Sequence, residues 1–70
     1  MKRKSAYFRI RELRLKKGIQ QQELAERLNY SKQSVNNWES GKNMPPSATL
    51  PEIARVLGCT VNDLYRPEVL

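Results

Sequence analysis

Hydrophobic side chains recur along this chain at helical spacing, and the residues that interrupt them are of the kinds that end helices. After Ser5, a good N-cap, Ala6, Ile10, Leu13 and Lys17 fall on one helical face, which Phe8 and Leu15 are expected to widen. Gly18 suits a left-handed C-cap, and Leu24, Ala25 and Leu28 then line one face of a second helix, Gln21 to Leu28. Asn29 follows, a residue that tolerates positive φ, and Ser31 can cap a third helix from Lys32 to about Ser40, closed by Gly41. Val35 and Trp38 form its apolar stripe, leaving Lys32, Gln33, Asn36 and Asn37 pointing away from the core. Pro45 and Pro46 make residues 42–46 a loop. A fourth helix is expected to open at Ser47 or Ala48 and run through Leu50, Ile53, Ala54 and Leu57 to Gly58, with Pro51 tolerated in its first turn. Thr60 and Asp63 form a capping-box-like pair that opens a short fifth helix with Val61, Leu64 and Tyr65. With no strand pattern and no internal repeat, the expected fold is all-α, a compact five-helix domain over residues 6–66. A basic arm, residues 1–5, precedes it and a short tail, residues 67–70, follows.

Length and composition narrow the picture. A chain of 70 residues holds one domain of modest stability. No apolar run approaches the roughly 18 residues of a membrane span, and the basic start Met1-Lys2-Arg3-Lys4 leads into no apolar signal-peptide stretch. A soluble, cytoplasmic protein without a membrane partner is therefore expected. Cys59 is the only cysteine and histidine is absent, so neither an intramolecular disulfide nor a Cys/His zinc site can form; no metal or cofactor is expected. The net charge of +6 is unevenly placed: residues 1–42 hold eleven basic against four acidic side chains, whereas residues 43–70 hold two against three. A concentrated basic half suits a polyanion, although a modest positive balance is also an ordinary solvated surface.

The motif decides between them. Two short helices joined by a tight turn, the second presenting polar side chains outward, describe a helix-turn-helix, whose second helix enters the DNA major groove. Ala25 would let helix three cross close over helix two, Asn29 would make the turn, and Leu24, Leu28, Tyr30, Val35 and Trp38 would hold the two helices together. At Ile10-Arg11-Glu12-Leu13-Arg14, Gly18-Ile19, Gln21-Gln22-Glu23-Leu24-Ala25, Val35-Asn36-Asn37-Trp38-Glu39-Ser40-Gly41-Lys42, Pro45, Ile53-Ala54 and Leu57-Gly58 the chain resembles the phage repressor and Cro family, also called Xre-like. The resemblance covers residues 6–65. It departs from the family at Asn29, which replaces the usual turn glycine, and at Pro46, where a serine cap is common.

The resemblance implies a five-helix operator-binding domain, a transcriptional regulator expected to act as a repressor. It places Ser31, Lys32, Gln33 and Asn37 on the base-contacting face, with Asn36 beside them. The chemistry agrees: lysine can donate to guanine O6 and N7, and glutamine or asparagine can pair with adenine N6 and N7. Phosphate contacts are expected from Gln20, Gln21, Ser40, Lys42 and the backbone of Asn43, which flank that helix. Lys2, Arg3 and Lys4 are either a minor-groove arm or a disordered terminus. Arg14 and Glu39 occupy the family positions of an ion pair tying helix one to helix three, and Cys59 is read as a buried, reduced thiol. The implied partner is double-stranded DNA with a palindromic operator, bound by a weak homodimer or a dimer formed on DNA. The competing reading keeps the fold but makes the chain an antitoxin or protein-interaction adaptor, favoured if Leu64, Tyr65, Val69 and Leu70 form an exposed apolar patch; that patch would equally serve a dimer. No constellation of catalytic residues is apparent, and the chain is not expected to be an enzyme.

Overall fold

In the computed structural model, residues 8–65 are described, and they form five α-helices and a single 3₁₀ turn. The helices are α1 (Ile10–Lys17), α2 (Gln21–Leu28), α3 (Lys32–Ser40), α4 (Leu50–Leu57) and α5 (Val61–Leu64), with the 3₁₀ turn at Ser47–Thr49. Four of the helices close on a residue in the left-handed region: Gly18, Asn29, Gly41 and Gly58. Asn29, at φ 65°, does what the family's glycine would do, because its short polar side chain tolerates this region better than most. The expected all-α fold is the one observed.

The first helix begins later than its sequence pattern suggests. Ser5 and Ala6 lie outside the described residues, as do Lys2, Arg3, Lys4, Val69 and Leu70. Phe8 is not helical: it makes an antiparallel β-bridge with Tyr65, their rings 4.9 Å apart, and the Arg9 backbone N–H donates to the Leu64 carbonyl at 2.6 Å. This pairing with a residue at the far end of the fold overrides a local helical preference, leaving Arg9 at the N-cap with no side-chain cap. Tyr65 correspondingly leaves α5 in an extended conformation. Nor does Leu15 widen the apolar face. At about 100° per residue it lies roughly 140° from Ile10, and it is 53% exposed. Arg14 is buried in its place.

The fourth helix opens three residues after Ser47, because Pro51 has no N–H to complete an α-helical bond to the Ser47 carbonyl. The Leu50 N–H donates to that carbonyl instead, which makes a 3₁₀ turn, and Pro51 then sits in the first turn of α4. The capping box of α5 is complete: Asp63 N–H donates to Thr60 Oγ1 at 3.2 Å, and Thr60 N–H to Asp63 Oδ2 at 3.1 Å. Hydrogen bonds from Thr60 to the carboxylate, that of its backbone N–H foremost, hold Asp63 below its ordinary pKa.

One cluster of buried side chains joins all five helices, with Ile10, Leu24, Val35, Ile53 and Leu64 fully enclosed. Two expectations are corrected here. Leu64 is a core residue, so the exposed patch that would have favoured an adaptor lacks its first member. Cys59 is only half-buried against the cluster, where burial and the nearby Asp63 carboxylate raise its thiol pKa. No helix among the described residues is long and apolar enough to cross a membrane.

Candidate nucleic-acid interface

The pairing of α2 with α3 sets the site. Ala25 has no exposed surface, so the two backbones approach closely, and the turn between them is closed by Tyr30 N–H donating to the Ala25 carbonyl at 2.9 Å. Ser31 caps α3 as its sequence position suggests, its hydroxyl oxygen accepting from the Ser34 N–H at 3.1 Å. Val35 and Trp38 point inward. The Trp38 ring meets Tyr30 edge-on with centroids 5.0 Å apart, and the Tyr30 hydroxyl lies 3.3 Å from Thr49 Oγ1.

With that side of α3 buried, the opposite side is left to solvent. Lys32, Gln33 and Asn36 are exposed and Asn37 is half-buried, so these four base-contacting candidates share the outward face, whereas Ser31, also exposed, stands at its N-terminal edge with its hydroxyl engaged in the cap. Gln33 Nε2 donates to Asn37 Oδ1 at 3.0 Å. Beyond the helix, Ser40, Lys42 and Asn43 are exposed. The Lys42 and Asn43 N–H groups both donate to the Asn37 carbonyl, at 2.9 and 3.2 Å, so the Asn43 N–H expected at a phosphate is engaged within the C-cap.

A buried ion pair fixes this face relative to α1. Arg14 Nε and Nη2 donate to the two oxygens of Glu39 at 2.6 and 3.1 Å, while Arg14 Nη1 donates to the Ile19 carbonyl at 2.8 Å. The two side chains are only 7% and 2% exposed. Such a pair holds an orientation more than it adds net stability, because removing both charges from water offsets their attraction. Gln21, at the start of α2, joins the same network: its Nε2 donates to Glu39 Oε1 at 2.9 Å and to Asn36 Oδ1 at 3.3 Å.

An open depression of about 450 Å³ lies over these groups, lined by Arg11, Gln20, Gln21, Gln22, Lys32 and Asn36. Gln20 makes no side-chain cap at the start of α2, so the first-turn N–H groups have no such cap. Arg11 was not singled out from the sequence. It lies three residues before Arg14, and once Arg14 is turned toward α3 the same helical face carries Arg11 to the edge of the depression.

A family model described as helix-turn-helix matches residues 10–64. The chain is 34% identical over 62 residues to the HTH-type transcriptional activator BcrR of Enterococcus faecalis, covering 89% of this chain and 30% of that protein. It is 37% identical over 57 residues to an uncharacterized HTH-type transcriptional regulator of Archaeoglobus fulgidus, covering 81% of each. Among solved structures it superposes on the clp gene regulator ClgR from Corynebacterium glutamicum with a TM-score of 0.74 and 31% identity, covering 77% of this chain and 57% of that one. The chain thus spans about a third of BcrR and little more than half of ClgR. The matched segment takes in the α2–α3 pair and the outward face of α3, and the chain belongs to the phage repressor and Cro-like, or Xre-like, helix-turn-helix family of DNA-binding transcriptional regulators.

Proposed function

We propose that this domain binds specific double-stranded DNA sequences by placing α3 in the major groove, and that it represses transcription from the sites it occupies. One observation carries the reading: α3 buries Val35 and Trp38 while presenting Lys32, Gln33, Asn36 and Asn37 together on the opposite side. A helix about 10 to 12 Å across fits a major groove about 12 Å wide, and amide and ammonium groups are the ones that discriminate base edges there. Phosphates on one side meet Arg11, Gln20 and the first-turn N–H groups of α2; on the other they meet Ser40, Lys42 and the side chain of Asn43. The Gln21 amide hydrogens are directed at Glu39 and Asn36, so its part at the phosphate falls to its backbone N–H.

Binding as a two-fold dimer, formed in solution or on the DNA, would match a palindromic operator with half-sites roughly 34 Å apart. Repression follows from occupancy, since a groove filled by α3 and flanking phosphates covered by α1 and α2 exclude another protein from the same promoter segment. The role is binding rather than catalysis, and the cytoplasm is where such a partner is met.

Selection from a random duplex pool at physiological salt, where non-specific phosphate binding is weak, tests this directly. Recovery of a palindrome is the expected result; recovery of no motif by a folded protein contradicts the reading. Placing the recovered site across a reporter promoter should lower expression, and a rise would assign the activator role that BcrR's name carries.

A further inference from the structure

The amides of α3 are not equally free to choose what they bond. Glu39 is the fixed point: its carboxylate can only accept, it is almost fully enclosed, and both its oxygens already take Arg14. The Gln21 amide must therefore turn its nitrogen toward Glu39, because the reverse orientation would set a carbonyl oxygen against Oε1. The second hydrogen on that nitrogen reaches Asn36 Oδ1. Turning Asn36 over would set nitrogen against nitrogen. Its oxygen consequently faces inward, and the two hydrogens of Nδ2 are what it offers the groove. The Gln33–Asn37 pair is different: it consists of two amides, and turning both over restores a bond of the same kind.

We propose that the chain Arg14–Glu39–Gln21 sets Asn36 as a donor-only reader, so that Asn36 selects guanine over adenine at its base pair, with Gln21 the positioning residue. The inference rests on the major-groove reading above. Guanine presents two acceptors, N7 and O6, to the major groove, whereas adenine pairs N7 with the donor N6–H₂. The bidentate adenine pairing open to an unconstrained asparagine needs the oxygen that Gln21 holds. That pairing remains open to Gln33 while its Nε2 holds Asn37 Oδ1, and passes to Asn37 when their shared bond reverses.

Three proteins distinguish the outcomes in the duplex selection: the wild type, Gln21→Met, which keeps length but removes the amide, and Asn36→Asp, which accepts only. The wild type should show one column preferring guanine over adenine by about 5- to 150-fold, the range of a good base contact. In Gln21→Met that column alone should lose most of its preference as Asn36 becomes free to rotate. In Asn36→Asp it should move to cytosine or adenine, which present an amino donor. A guanine column unchanged in Gln21→Met, or all columns flattening together, overturns the proposal. Hydrogen exchange of the Gln21 side-chain amide in the free protein supplies an arm without DNA: slow exchange supports the relay, and the rate of an exposed glutamine overturns it. This arm decides the matter if Gln21→Met fails to fold, and it separates failure of the relay from failure of DNA recognition, which would show as a motif-free wild type.

Discussion

Gln33 and Lys42 stand at different places on the α3 surface and, on the proposed reading, meet DNA through different chemistry. Gln33 reads a base edge, so Gln33→Ala should relax preference at one or two base pairs and leave the rest of the operator intact. Lys42 meets phosphate, so Lys42→Ala should weaken all sites similarly and reduce the slope of log affinity against log salt by about one. Titrations of an operator set at several salt concentrations check both, and identical behaviour of the two variants would refute the division of labour. Gln33 also bonds Asn37, so part of the relaxation will come from an untethered Asn37. At this scale the sequence was informative wherever one residue decides its own environment. Ser31 caps, Asn29 turns at positive φ, and Trp38 is buried, each for reasons internal to a few neighbouring positions. Arg11 escaped notice because its importance depends on how far Arg14 rotates the helix that carries both.

Between elements, the buried ion pair is the joint that ties α1 to α3. Glu39→Ala leaves the enclosed Arg14 guanidinium without its counter-charge, at a cost of about 3 to 5 kcal/mol in urea unfolding. Replacing both partners, Arg14→Met with Glu39→Leu, should cost less than the single change, since no orphan charge remains. A double variant at least as unstable as Glu39→Ala would show that the pair itself is the stabilising term. The α5 cap behaves differently, because its carboxylate is exposed and local. Asp63 has a folded-state pKa below its unfolded value, so its contribution is fully present above the unfolded pKa and fades as pH falls through the folded one. Amide exchange at Thr60 and Asp63 should therefore show increasing protection loss below about pH 4, relative to core amides, and Asp63→Asn should remove that pH dependence. The helices α2 and α3 were legible to the residue because caps and turn chemistry are local. The start of α1 was not, since the Phe8 bridge to Tyr65 is a long-range contact that no window of sequence contains. The 3₁₀ turn before α4 lies between these cases: Pro51 announces it, but only once its missing N–H is assigned to a particular carbonyl.

For the whole molecule, one core reaches every helix, so melting should be a single event. Trp38 fluorescence and far-ultraviolet circular dichroism are expected to give coincident transitions; helical signal outlasting the Trp38 transition would reveal a separately folding part. The charge imbalance seen in the sequence acquires meaning only in three dimensions. Arg11 and Lys32 come to the edge of one depression, and Lys42 is exposed just past the end of α3. The bridge between Phe8 and Tyr65 bears on tension as well as on folding. Because its two segments run antiparallel, a pull on residues 8 and 65 draws both from the same end and peels the pair apart rather than shearing it. Force transmitted through segments attached at either side would open this clasp, and α1's hold on Leu64 with it, before it loaded the α2–α3 pair. Only after that opening would load on α1 reach α3, through the Arg14–Glu39 pair.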